Sequence, residues 1–524
     1  MTSTPDQTVD LLVIGGGVNG VGIANDAAGR GLSVVLCEKG DLGGATSSAS
    51  SKLIHGGLRY LEHYEFKLVR ESLSEREVLL AKAPHIIRPL TFVLPHQNEL
   101  RPAWLIRLGL FLYDHLARHP RLPNSGGVRL DEHAWGAPLR RHVKNGFFYS
   151  DCWVDDARLV ILNALQAKER GAAIRPRTEV TAAKRAHGHW SVTAHDHRSG
   201  ETRTFSARAI VNAAGPWAGQ VLEFLSGRTP DKSVRLVKGS HIVVPRLHDG
   251  PQAYILQHTD GRIVFVLPFE QDFSLIGTTE VALQGDLDRI EASPEEITYL
   301  CDVANAYFQT ETRVGDVVWS YTGVRPLFDD KAASASAVTR DYVLDYDVGK
   351  AGEAPVLSVF GGKITTYRRL AEKVLKTLSS TFPGMGAAWT GTAPLPGGTM
   401  PEDGFAGLMR SLQLRYPALD RTFLESVARR HGNRTTDVLG DARTTDDLGR
   451  HFGWTLYARE VDYLMAHEWA VTSEDVLWRR TKAGLHCGEK AGLEVEAYMQ
   501  QGKNNQDVSA PGGAGAGQVQ GAKV

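Results

Sequence analysis

VDLLVIGGGVNGVGIANDAAGRGLSVVLCEKG, residues 9–40, decides the fold of the first part of the chain. Val9 to Ile14 reads as a buried strand stopped by a glycine turn. An Ala-rich stretch from about Gly20 to Gly31 reads as a helix, and Ser33 to Cys37 as a second strand. This is a βαβ unit. Gly15, Gly17 and Gly20 form GxGxxG between the first strand and the helix, and Glu38 closes the second strand. Glycines there let the backbone approach a pyrophosphate on the helix N-terminus, where unpaired amides and the helix dipole favour negative charge. Glu38 stands where a carboxylate hydrogen-bonds the adenosine ribose and disfavours the 2′-phosphate of NADP. The stretch predicts a dinucleotide site for FAD or NAD.

Further along, the pattern turns to hairpins. Trp190 to His195, a Ser199-Gly200 turn, Thr202 to Ser206 and the apolar strand Ala209 to Ala213 come first. A second strand group covers Ser240 to Val244, Ala253 to Gln257, Arg262 to Leu267 and Ser274 to Thr279, with Asp260-Gly261 as a hairpin signal, and reads as an antiparallel substrate domain. After the Pro- and Gly-rich stretch Pro394 to Gly398 the chain becomes helix-like and charged. The expected division is a discontinuous cofactor domain (8–75, 150–238 and 321–390), a substrate or cap domain (76–149 and 239–320), a helical C-terminal domain (395–500), and a tail (501–524) too poor in large apolar groups to order.

The 524 residues exceed a single core, and 59 Lys plus Arg against 60 Asp plus Glu give no charge argument for nucleic acid. Cys37, Cys152, Cys301 and Cys487 are far apart and form no CxxC pair, which fits a reducing cytoplasm, and no metal site is expected. No stretch reaches the roughly 18 uncharged apolar residues of a spanning helix. Arg101 to Leu122 is a basic amphipathic candidate, with Trp104, Leu108 and Phe111 flanked by Arg107, Arg118 and Arg121. It suits either an anionic lipid surface or a core helix with arginines at its ends.

Thr46 to Glu62, TSSASSKLIHGGLRYLE, closely resembles the aerobic, FAD-linked glycerol-3-phosphate dehydrogenases. The likeness continues through YSDCWVDDARL (149–159), KGSHIVVPR (238–246), IGTTE (276–280), YTGVRPL (321–327), TRDY (339–342), SVFGGKITTYR (358–368), EVDYLMAHEWA (460–470) and LWRRTKAGL (477–485). Asn212 to Gly215 resembles the additional FAD-contacting strand of two-domain flavoenzymes, with Ala214 and Gly215 at the cofactor, which favours FAD over NAD. The resemblance implies an α/β fold of the glycine oxidase and D-amino-acid oxidase type. It comprises a Rossmann-like FAD domain, an antiparallel substrate domain and a helical C-terminal domain, with noncovalent FAD and a membrane quinone as acceptor. It also implies oxidation of sn-glycerol 3-phosphate to dihydroxyacetone phosphate at the inner face of the cytoplasmic membrane, and it admits a homodimer. The alternatives are a soluble oxidase of the same family reducing O₂, whose expected large insertion is absent, a flavin-binding scaffold without catalysis, and an amino-acid oxidase.

Oxidising a secondary alcohol needs a base, a clamp for the phosphate and positive charge near the flavin. Arg325 and Arg340 are the clamp candidates, with Arg59 as a third cation and Tyr60 beside it. Arg325 and Arg340 are alternatively partners of nearby acids such as Asp329 or Asp341. His241 is the first choice of base and His55 its rival. Gly361, Gly362 and Lys363, ahead of a helix-like run from Thr365 to Leu378, would aim a helix N-terminus and a cation at the flavin. Thr46, Ser47, Ser50, Ser51 and Lys52 fall where the family binds FAD or lines the substrate site.

Overall fold

The computed structural model describes residues 6–96, 102–186, 188–227, 234–277, 279–283, 286–287, 289–328, 341–350 and 352–509. Its first sheet has eight strands and grows from β1 (Gln7–Ile14), the helix α1 (Val18–Gly29) and β2 (Val34–Cys37). β1 lies between β2 and the strand Thr202–Asn212, parallel to both. Val356–Phe360 and Ala173–Arg175 extend the two sides in parallel. Leu11, Leu12 and Val13 are wholly buried, as both faces of a parallel sheet require. One face packs on α1, Asp156–Glu169 and Tyr367–Thr377. On the other, Trp190 and Val192 of the hairpin strand His189–Asp196 meet Val9, Leu12 and Val35.

The second sheet has ten strands and is antiparallel except where Ala253 and Tyr254 pair in parallel with Phe92 and Val93. The helix Pro294–Tyr307 covers one side, and Phe66–Lys82 and Ala103–His115 cover the other. Beyond it, helices Gly404–Arg415, Arg421–His431, Ala458–His467 and Gly484–Ser509 form the C-terminal domain, as expected.

Several boundaries need correction. Thr202–Asn212 is one strand, not two. Trp319–Phe328 pairs along its length with Val234–Pro245, so residues 321–328 belong to the substrate sheet and not to the cofactor domain. Leu53–Ile54 and Asn145–Val154 pair with each other in that same sheet. The C-terminal helix continues to Ser509, nine residues past the point where composition predicts loss of order. The run from Thr365 starts as a 3₁₀ turn, Ile364–Thr366, before Tyr367–Thr377.

The amphipathic stretch is buried on one side and exposed on the other. In Ala103–His115, Ile106, Leu110 and Tyr113 are buried, while Trp104 (68% exposed), Leu108 and Phe111 (55%) face outward. Arg107, Arg118 and Arg121 are exposed, and Arg101 lies outside the described residues. Among the described residues, no helix is long and apolar enough to cross a membrane. All four cysteines are free thiols.

Candidate active site

The glycines after β1 are required by contact as well as by conformation. Gly15 has φ +110°, and a Cβ there would lie 2.5 Å from the Ala213 carbonyl oxygen. A Cβ on Gly20 would lie 1.9 Å from the Gly15 carbonyl oxygen, so Gly20 serves close packing of helix on turn and does not itself line the cavity. Gly17 caps α1, and the Val18 amide donates to Ser47 Oγ at 2.9 Å. Glu38 Oε2 accepts from Gly16 N at 2.6 Å, and Oε1 from Gly40 N at 2.7 Å. Burial raises its pKa, and those two amides offset part of the rise.

These groups open into one continuous cavity of about 2050 Å³ that runs from the glycine loop to the substrate sheet. Thr46, Ser47, Ser50, Ser51, Ala214 and Gly215 line it, as do Gly361, Gly362, Lys363 and Thr365. Gly361 and Gly362 have φ of +81° and +102°. A Cβ on Gly362 would reach within 2.7 Å of Asn19 Nδ2, which donates to the Gly361 carbonyl at 3.3 Å, so the second glycine loop is closed against the first. A long groove with amides and a carboxylate at one end and a second glycine loop at the other fits an extended dinucleotide. Gly15, Gly17, Glu38, Ser47, Ala214, Gly215 and Gly361 to Lys363 would hold it.

Across the cavity stand the basic residues. His241 pairs in register with Tyr321 and stacks on its ring at 4.8 Å. His241 Nε2 lies 2.9 Å from Ser51 Oγ, and its Nδ1 has no hydrogen-bond partner among the described residues. Burial, with the charges of Arg325 and Lys52, holds its pKa well below the ordinary histidine value. His55 is lowered by burial too. Asp151 opposes that shift, and Lys363, Arg76 and Arg325 reinforce it. The His55 amide donates to Thr365 Oγ1 at 3.2 Å. Lys363 Nζ sits 3.8 Å over the Tyr60 ring, and Arg59 reaches the Gly261 carbonyl at 3.5 Å. Arg325 Nη1 is 3.2 Å from Glu280, and both side chains line the cavity, which adds Glu280 to its acid neighbours; Asp329 lies outside the described residues.

Arg340 lies outside the described residues, and another expected site residue, Lys52, stands elsewhere. Lys52 is fully buried behind the wall, not in it. Its Nζ binds Asp156 at 2.8 and 3.0 Å and the Ser48 carbonyl at 3.0 Å, while Asp156 accepts from Ser50 Oγ at 2.7 Å. Lys52 therefore shapes the Ser50–Ser51 wall from inside. Sequence reasoning missed Gly16, Asp41, Arg177, Glu280, Tyr321, Trp478 and Arg479, all but Gly16 lining the cavity. Only Gly16 carries a local signal, as the middle glycine of three.

A parallel sheet presenting a glycine loop, joined across one cavity to a sheet carrying histidine and arginine, defines a two-domain flavoenzyme. The family model for FAD dependent oxidoreductases matches residues 10–368, and that for the C-terminal domain of alpha-glycerophosphate oxidase matches 388–503. The chain belongs to the FAD-dependent oxidoreductase family and is an enzyme with FAD as cofactor. It is 53% identical to D-erythritol 1-phosphate dehydrogenase of Brucella abortus over 92% of this chain and 96% of that one. It is 52% identical to glycerol-3-phosphate dehydrogenase of Pseudomonas aeruginosa (94% and 95%) and 51% identical to aerobic glycerol-3-phosphate dehydrogenase of Escherichia coli (94% and 97%). The structure of Bacillus halodurans glycerol-3-phosphate dehydrogenase complexed with FAD superposes with a TM-score of 0.74 at 25% identity, covering 97% of this chain and 92% of that one.

Proposed function

We propose that the protein oxidises sn-glycerol 3-phosphate at its secondary hydroxyl to dihydroxyacetone phosphate and delivers the electrons to membrane quinone. The observation that carries this reading is the convergence of His55, His241, Arg59, Arg325 and Lys363 on the cavity lined by both glycine loops. Bound FAD supplies the hydride acceptor at flavin N5. Arg325 and Arg59 offer planar guanidinium groups to a phosphate dianion, which pairs bidentately with such forks. Lys363, on the second glycine loop, would offset the negative charge that reduction builds on the bound flavin. His241 is neutral at neutral pH and takes the hydroxyl proton, with its ring held by Ser51 and Tyr321. A phosphate beside Arg325 offsets one of the charges that depress His241, so substrate binding itself strengthens the base. Leu58, Ile255 and Phe265 supply apolar wall, which keeps water out and the local dielectric low.

The names of the Pseudomonas and Escherichia relatives support the substrate, and that of the Brucella relative favours a second reading, D-erythritol 1-phosphate. Both are polyol monophosphates to which the same cations can bind. The acceptor reading is supported by the helix Ala103–His115. Leu105, Leu108 and Leu112 border the cavity, while Trp104 and Phe111 face outward, so a quinone leaving a bilayer would meet the cavity edge.

The test is anaerobic reduction of the holoenzyme by each polyol phosphate in turn, followed by soluble quinone or air. Bleaching by sn-glycerol 3-phosphate at a kcat/KM above that for D-erythritol 1-phosphate, reversed faster by quinone than by air, is the expected result. The opposite substrate preference selects the second reading. Reoxidation by air as fast as by quinone, with hydrogen peroxide formed, makes the enzyme an oxidase. A flavin untouched by either phosphate removes the functional claim.

A further inference from the structure

The cofactor cavity is not closed by the cofactor domain alone. Thr472, Glu474, Trp478 and Arg479, all from the C-terminal domain, line it together with Glu38 and Asp41. Asp475–Arg480 is a π-helical turn, closed by Thr481 N donating to the Val476 carbonyl at 3.0 Å. Such turns are rare and are frequently found at functional sites. Two successive arginines of the turn converge on one carboxylate three residues beyond Glu38. Arg479 Nε donates to Asp41 Oδ2 at 2.5 Å, and Arg480, fully buried, donates to both Asp41 oxygens, with Nη2 to Oδ1 at 2.9 Å. Arg479 Nη2 also donates to Asp475 at 2.6 Å, and Asp475 accepts from Arg177 at 2.8 and 2.9 Å.

This network is tied to the backbone that carries the adenosine-binding carboxylate. The Arg177 amide donates to the Gly40 carbonyl at 2.8 Å, and the Thr178 amide to the Glu38 carbonyl at 2.7 Å. The Gly43 amide donates to the Gly16 carbonyl at 3.0 Å, so the Asp41 loop is also fastened to the glycine turn. At its other edge the turn reaches the substrate sheet, where Trp478 stacks on Trp319 at 4.5 Å.

We propose that the Asp475–Arg480 turn is a working part of the cofactor site, in which Arg479 walls the adenosine end while Arg480 and Asp475 position Asp41 and Arg177. Release of FAD then requires the Asp41–arginine contacts to part, and the C-terminal domain sets the rate of cofactor loss. FAD bound in turn fastens the C-terminal domain to the cofactor domain, because the two share this wall.

The experiment follows FAD release from the holoenzyme as flavin fluorescence after dilution. R479Q and D41N each remove a charge-assisted hydrogen bond, and each is expected to speed release about tenfold, with the double variant no faster than the faster single one. R479K keeps the charge and is expected to fall between R479Q and the parent. R434A is the control. Arg434 pairs with Glu169 at 2.5 Å, fastening the same domain to the helix Asp156–Glu169 away from the cavity, and its loss is expected to leave release at the parental rate. Parental release in R479Q overturns the proposal, as does release in R434A as fast as in R479Q. Should R479Q not fold, D41N against R434A decides on the same criteria.

Discussion

Two substitutions at one ion pair should move substrate affinity in opposite directions. Arg325 and Glu280 are 3.2 Å apart with side chains 29% and 18% exposed, so their pairing is partly screened and contributes only ~0–1 kcal/mol. A phosphate dianion entering the cavity competes for Arg325 with more charge and a matching fork. Arg325→Ala therefore removes a charged hydrogen bond to substrate, roughly 1.5–3 kcal/mol. That predicts a fall in kcat/KM for sn-glycerol 3-phosphate of about ten- to two-hundredfold, with FAD retained. Glu280→Gln removes the competitor at nearly constant volume and should lower KM by up to about fivefold. The assay is dye-linked initial rates with the phosphate varied, normalised to bound flavin. An unchanged kcat/KM in the alanine variant, or a rise of KM in both, would refute the clamp.

Three other outcomes follow from the site and its surroundings. Because His241 titrates below the ordinary histidine range, kcat/KM should be flat through neutral pH and fall in acid as the ring gains its proton, and His241→Asn should lose both rate and that acidic limb; a limb retained in the variant would transfer the role to His55. His85 is buried with its pKa lowered to about 3, by burial first and then by Arg158, His431 and Arg429. A depressed folded-state value places its stabilising effect above the unfolded pKa, and the effect is lost as pH falls from about 6.5 towards 3; at pH 5 the loss is ~2 kcal/mol. His85→Gln should show a smaller drop in melting temperature between pH 7 and pH 5 than the parent, and an equal drop would rule His85 out. Charge reversal at Arg118 and Arg121 should weaken sedimentation with anionic vesicles by about 1 kcal/mol per residue or more, and unchanged binding would leave Ala103–His115 without a lipid role.

What could be read from sequence was what depends on neighbours along the chain. Gly15, Gly17, Gly20 and Glu38 sit within one βαβ unit, so strand, turn and helix periodicities all bear on them. Which sheet a strand joins is decided by partners far away. Trp319–Phe328 has the alternation of any half-buried strand, and nothing in it announces pairing with Val234–Pro245. Lys52 shows the same limit. Amid serines it resembles a ligand group, but a buried ammonium needs a counter-charge, and its partner Asp156 is 104 residues on. Arg479 and Arg480 carried no local signal, since their partner Asp41 lies near the other end of the chain.

The interleaving of the first sheet has a consequence for synthesis on the ribosome. β1 is finished at Ile14, but its neighbour Thr202–Asn212 emerges much later and Val356–Phe360 later still. At about 5–20 residues per second, the apolar β1 waits tens of seconds before its sheet can close. During that interval a strand whose second half, Leu11–Ile14, is wholly hydrophobic has an open edge, which is a template for pairing with other chains. Nascent chains halted between Cys37 and Thr202 should therefore be the aggregation-prone species, and the ones a chaperone holds.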